Sequence, residues 1–178
     1  MTALVIALLG CSQPVAGPER VAAKSYFDLK SYFDGESQRL SGLPKAKKIV
    51  TADGKTEERI LDSHDFGEDL KIFSNADINR PAWSDKYVAD SVFNEQGKLV
   101  RLDYATDDTD LRTKKITIEF EEGNVAKVFI ENTSITAIAD TRQLLTYLPG
   151  KGYTIESRQK VAFSDDKTFV VEVQFFGN

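Results

Sequence analysis

Thr113-Lys114-Lys115-Ile116-Thr117-Ile118-Glu119-Phe120-Glu121 alternates apolar and polar side chains, and a second extended run, Val125–Asn132, follows at once. Ile116, Ile118 and Phe120 share one face, with Thr117 and Glu119 on the other. A period of two with polar residues opposite is the signature of a strand with one buried and one solvated face. Gly123-Asn124 is read as the turn that folds the two runs into a hairpin.

The same pattern extends in both directions. Tyr87–Asn94 and Lys98–Ala105 flank Gln96-Gly97, and Arg142–Leu148 and Tyr153–Phe163 flank Pro149-Gly150-Lys151-Gly152. Tyr153, Ile155, Val161 and Phe163 alternate with Thr154, Glu156, Arg158 and Lys160. A last strand, Thr168–Phe176, sets Phe169, Val171, Val173 and Phe175 against Glu172 and Gln174, after a turn at Ser164-Asp165-Asp166-Lys167. Connections too short for crossover helices make these strands antiparallel neighbours.

Before Tyr87 the periodicity changes. From Glu19 to about Leu40, the residues Ala22, Tyr26, Leu29, Phe33 and Leu40 recur at three/four spacing, which predicts a helix. Pro18 suits its first turn and Gly35 is its weak point. Lys45–Thr51 and Lys55–Leu61 form a hairpin around Asp53-Gly54. Asp65-Phe66-Gly67-Glu68 starts a short second helix with Phe66, Leu70 and Phe73 on one side, ending near Asn75. The expected fold is α+β: a curved antiparallel β-meander of about eight to nine strands, covered by one or two N-terminal helices.

The charge balance narrows the function classes. With 28 acidic against 23 basic residues the net charge is −5, which disfavours nucleic acid as a partner and gives little attraction to anionic headgroups. A charged fraction of 29% is ordinary for a globular domain.

Few residues invite chemistry. His64, the only histidine, stands in Asp62-Ser63-His64-Asp65, a segment that fits a general base or a metal ligand but equally a strand-to-helix junction with capping residues. Asp103, Asp107, Asp108 and Asp110 crowd one loop. Counted from Asp103, Asp108 and Lys114 occupy the positions where an EF-hand needs Gly and Glu, so a solvated connection is the better account. Asp165-Asp166 is a turn by the same reasoning. Trp83 and Tyr87, after Pro81, are candidate ligand or partner contacts, against the plainer role of plugging one end of the sheet. Asn132-Thr133-Ser134 matches the glycosylation sequon. Phosphate loops, nucleophile elbows and zinc-binding spacings are absent from the sequence, so no catalytic residue, metal or cofactor is assigned.

The first residues, Met1-Thr2-Ala3-Leu4-Val5-Ile6-Ala7-Leu8-Leu9-Gly10, run into Cys11, the only cysteine. Leu8-Leu9-Gly10-Cys11 resembles the lipobox of bacterial lipoproteins. The apolar run would rise roughly 12 Å as a helix against a hydrocarbon core of about 30 Å, too short for a permanent span but long enough for a signal h-region. The resemblance implies a signal peptide at 1–10, acylation of Cys11, a linker over 11–18 and a single α+β domain over 19–178. No Lys or Arg precedes Cys11, so the basic start of the leader is expected upstream of Met1. Ser12, rather than Asp, after the cysteine implies anchoring on the periplasmic side of the outer membrane. Two or more acyl chains hold firmly where one is marginal.

Three functions remain open from the sequence. The first is a non-catalytic binding or envelope-assembly protein holding an apolar ligand or a protein partner. The second is a hydrolase or metal-dependent enzyme using the Asp62–Asp65 region, and the third is a purely structural envelope scaffold.

Overall fold

The structure, a computed structural model, describes residues 26–42, 45–62, 64–162 and 165–176. The leader, Cys11, the linker and the expected helical residues 19–25 lie outside the described residues, as do Ser63, Phe163 and Ser164. In chain order the elements are α1 (Leu29–Leu40), β1 (Lys45–Ala52), β2 (Lys55–Asp62), α2 (Phe66–Ser74), a 3₁₀ turn (Pro81–Trp83), β3 (Val88–Phe93), β4 (Leu99–Ala105), β5 (Thr113–Glu121), β6 (Asn124–Ile135), β7 (Ala139–Leu148), β8 (Gly152–Val161) and β9 (Lys167–Phe175). Among the described residues the fold is α+β, with one open antiparallel sheet of nine strands and two helices.

The helix predicted from Glu19 begins, within the described residues, only at Leu29. Asp28 is the reason: its carboxylate accepts from Ser31 N at 2.8 Å and from Ser31 Oγ at 2.7 Å, capping the first turn. Tyr26 precedes the cap in non-helical chain, where its N–H donates to Asn79 Oδ1 at 2.9 Å. Gly35 does not interrupt α1, which continues to Leu40 because Leu29, Phe33 and Leu40 are all buried on one side. Asp65 caps α2 as expected, accepting from Gly67 N at 2.9 Å.

From β3 to β9 the sheet is the expected meander, each strand pairing with the next. The first hairpin breaks chain order: β1 pairs with β9, which makes β2 one edge of the sheet and β3 the other. Eight inter-strand spacings separate those edges, roughly 38 Å along a flat sheet. The segment from β2 to β3, carrying α2 and the 3₁₀ turn, makes that crossing. The hairpin joins β9 through matched apolar positions, with Ala46 opposite both Leu61 and Phe175, and Val50 opposite Val171.

The β5–β6 turn falls one residue earlier than Gly123-Asn124. Glu122 and Gly123 both take positive φ, 51° and 84°, as a two-residue primed turn demands, and Asn124 already belongs to β6. Gly152 marks a close backbone approach. At φ 148° its missing Cβ would lie 1.9 Å from Val173 O on β9.

Aromatic rings fill the space between the helices and the sheet. Phe33 of α1 lies 5.0 Å from Phe73 of α2, and both rings meet Tyr147 of β7, at 5.2 and 6.0 Å. Phe73 also meets Tyr153 of β8 at 6.0 Å, and Phe66 meets Phe175 of β9 at 5.3 Å. Rings of this size dominate core energetics, and edge-to-face pairing adds about 1 kcal/mol each. Phe169, expected on the buried face of β9, is 43% exposed. It pairs with Ser157 and stands beyond Tyr153 and Phe175, where the rings of α2 meet the sheet, so alternation places it on the right face at the wrong height.

Candidate functional site

Asp62, His64 and Asp65 share a short segment but not a site. Asp62 faces Lys45 Nζ at 3.5 Å across the β1–β2 pair, and Asp65 is committed to the α2 cap. His64 Nε2 instead meets Asp69 Oδ2 at 2.8 Å, one turn into α2, with its ring edge-on to Phe66 at 4.9 Å. The same Asp69 oxygen accepts from the Tyr153 hydroxyl. Burial and then the Asp69 carboxylate push the Tyr153 phenol well above its ordinary range, so it stays protonated and donates. The resulting His64–Asp69–Tyr153 chain ties the β2–α2 junction to β8.

The aspartates of the β4–β5 region also disperse. Asp103 accepts from Thr117 Oγ1 at 2.8 Å and pairs with Arg101 at 2.6 Å. Asp108 pairs with Lys86 at 3.0 Å while its other oxygen accepts from Asp110 N at 3.0 Å. The Lys86 bond first, then that backbone bond, hold the Asp108 carboxyl below its ordinary value. Among the described residues no group of three or more His, Cys, Asp or Glu side chains is placed to hold a metal ion.

Trp83 and Tyr87, four residues apart, have different environments. Tyr87 is buried, and its hydroxyl donates to Thr113 O at 2.8 Å, with burial raising its pKa to about 12. It packs edge-on against Tyr26 at 5.9 Å. Trp83 is half-buried, with the Arg80 guanidinium 4.3 Å from its ring centroid. The Tyr26 hydroxyl donates to Ser84 O at 2.9 Å, which pins this turn to the start of the chain's described part.

β3, which begins five residues after Trp83, is one free edge of the sheet. The two sheet edges differ in chemistry. β2 carries five charged residues in eight, the usual protection of an exposed strand. β3 carries one, Asp90, in six, and exposes Val88 (76%) and Phe93 (58%). It is blunted by a register shift between Val92 and Phe93 and by Asp90, whose carboxylate accepts from Ser91 N at 2.8 Å. The β3 edge offers unpaired backbone groups with apolar side chains at either end, which suits addition of a strand from a partner. Sequence periodicity identified β3 as a strand but carried no signal that it would be an edge.

No family model, curated protein or solved structure matches this chain. No helix among the described residues is long and apolar enough to cross a membrane.

Proposed function

We propose that this chain is a lipid-anchored protein of the bacterial envelope, held through Cys11 on the periplasmic side of the outer membrane, whose domain binds a protein partner and is not an enzyme. The anchor rests on the likeness of Leu8-Leu9-Gly10-Cys11 to a lipobox. The contrast between the charged β2 edge and the nearly uncharged β3 edge carries the choice of a protein partner. An apolar ligand would need room between helices and sheet, and there the rings of Phe33, Tyr147 and Tyr153 already pack against Phe73. In this reading the sheet is a curved meander and the two helices are its N-terminal cover, so recognition is left to edges and loops.

Photo-crosslinkers at Val88 and Phe93 in cells are expected to give one discrete adduct, lost on Ser91→Lys, while a crosslinker at Glu57 in β2 gives none. Equal labelling from both edges, or none from β3, overturns the partner assignment. Cys11→Ser should release the protein from membranes, and unchanged fractionation overturns the anchor.

A further inference from the structure

We propose that the tip of the β6–β7 hairpin is a bilayer-contact site: Ile135 and Ile138 enter the headgroup region, and a basic cleft beside them takes the anionic groups of phospholipids. The proposal deepens the tethered-domain reading and rests on it for the nearness of a membrane.

The tip is built for a low-dielectric neighbour. Ile135 and Ile138 are 74% and 72% exposed and bracket the turn residues Thr136 and Ala137. Some of the polar groups at this turn are already engaged. Thr136 N donates to Ala139 O at 2.9 Å, Ala139 N to Thr136 Oγ1 at 3.0 Å, and Ala162 N to Ile138 O at 3.0 Å. These bonds lower the cost of bringing the turn into an interface, where unmet backbone groups are the usual obstacle for a non-helical segment.

Behind the tip, charge is arranged against the stability of the isolated sheet. Arg142 and Arg158 stand directly opposite each other across β7 and β8, an unfavourable placement for like charges. Arg142 is compensated by Glu131 at 2.8 Å, whereas Arg158 and Lys160 form no ion pair with a described residue. These three cations, with Thr133, Ile135 and Asp140, line a cleft of about 450 Å³. One apolar wall and a surplus of cations match a phospholipid at the level where phosphate meets acyl chain. The net charge of −5 conceals this local excess.

Position agrees with chemistry. β6 passes Asn132, which is opposite Thr113 at the start of β5, and projects on to Ile135. Tyr26, the first described residue, packs at that same end of the sheet, 5.3 Å from Tyr104, which pairs with Ile116 near the start of β5. Residues 12–25 separate Tyr26 from Cys11, a stretch with an extended reach of about 50 Å. A tether there lets the hairpin end face the bilayer. Asp53, Asp165 and Asp166 gather at this end over β1 and β9, and confine the anion-facing surface to the β6–β8 side.

The test uses the mature chain, residues 11–178 carrying Cys11→Ser, which cannot be acylated, floated with phosphatidylcholine vesicles with or without phosphatidylglycerol. Binding is expected only to the phosphatidylglycerol vesicles. Arg158→Gln and Lys160→Gln should each weaken it about fivefold. The pair Ile135→Ser and Ile138→Ser should weaken it at least as much, with unchanged thermal unfolding. Failure to bind anionic vesicles, or binding indifferent to these substitutions, overturns the proposal. Saturable binding of inorganic phosphate without vesicle binding also overturns it, by assigning the cleft to a soluble anion. Since the probe lacks the acyl group, failure here leaves the Cys11 anchor to its own fractionation test.

Discussion

Tyr147 and Tyr153 face each other across β7 and β8, and each donates its hydroxyl to a carboxylate on a different helix. Tyr147 reaches Glu36 on α1 and Tyr153 reaches Asp69 on α2, while Phe73 packs 6.0 Å from both rings. One cross-strand pair thus sets the height of both helices over the sheet. Arg39 completes the first contact, holding Glu36 at 3.0 and 2.7 Å with two guanidinium nitrogens.

Tyr147→Phe and Tyr153→Phe keep the rings and remove only the hydroxyls. Each is expected to destabilise the domain by about 2 kcal/mol, the loss of a charge-assisted bond at a half-buried site. Denaturant unfolding of both single variants and the double variant measures this and their coupling. Two variants indistinguishable from wild type would show that ring packing alone seats the helices.

Glu36 makes part of the stability dependent on pH. Burial works to raise its pKa, but the bonds from Arg39 and Tyr147 prevail and hold it below the ordinary 4.5. A carboxyl depressed in the folded state contributes stability above its unfolded value and loses it as pH falls through the folded one. The wild-type melting temperature should therefore drop more steeply below pH 4.5 than that of Glu36→Gln. Comparing the two variants removes the similar contributions of Asp28 and Asp103, whose carboxyls are also held low. Parallel curves would contradict the assignment.

Gly152→Ala is expected to cost about 3 kcal/mol or more. The added Cβ would meet Val173 O at 1.9 Å, and φ 148° is poorly tolerated by any other residue. Both strain sources lie in backbone, so neighbouring side chains cannot relieve them. Near-wild-type stability by chemical denaturation would mean that β8 and β9 separate at this end.

Phe73→Ala empties the point where α1, α2, β7 and β8 meet. A loss of about 4 kcal/mol is expected, a large share of the 5–15 kcal/mol that stabilises a typical domain. Loss of near-ultraviolet dichroism from Tyr147 and Tyr153, with far-ultraviolet signal retained, would show the helices loosened over an intact sheet.

Local pattern was enough for the strands and for α2. Alternation at Ile116–Phe120 and the turn chemistry at Asp53-Gly54 act over a few residues, and the structure places β1, β2, β5 and β6 close to where they were expected. The start of α1 was less legible, because apolar spacing runs through Tyr26 while the cap at Asp28 depends on a hydrogen bond to Ser31 that spacing does not record.

The sequence by itself determined that this is a β-rich α+β domain with two helices and an acidic, mixed-charge composition, because side-chain periodicity and composition are local properties. Tertiary structure alone decided that the first hairpin docks on β9, that β3 and not β1 is a free edge, and that His64 pairs with Asp69 rather than with its immediate carboxylate neighbours. It also brought Arg142 against Arg158 beside an apolar hairpin tip. Those outcomes depend on pairing between residues up to more than a hundred positions apart, as with Ala46 and Phe175. Such pairing is selected by the joint fit of apolar faces and ring shapes, which no single stretch of the chain contains.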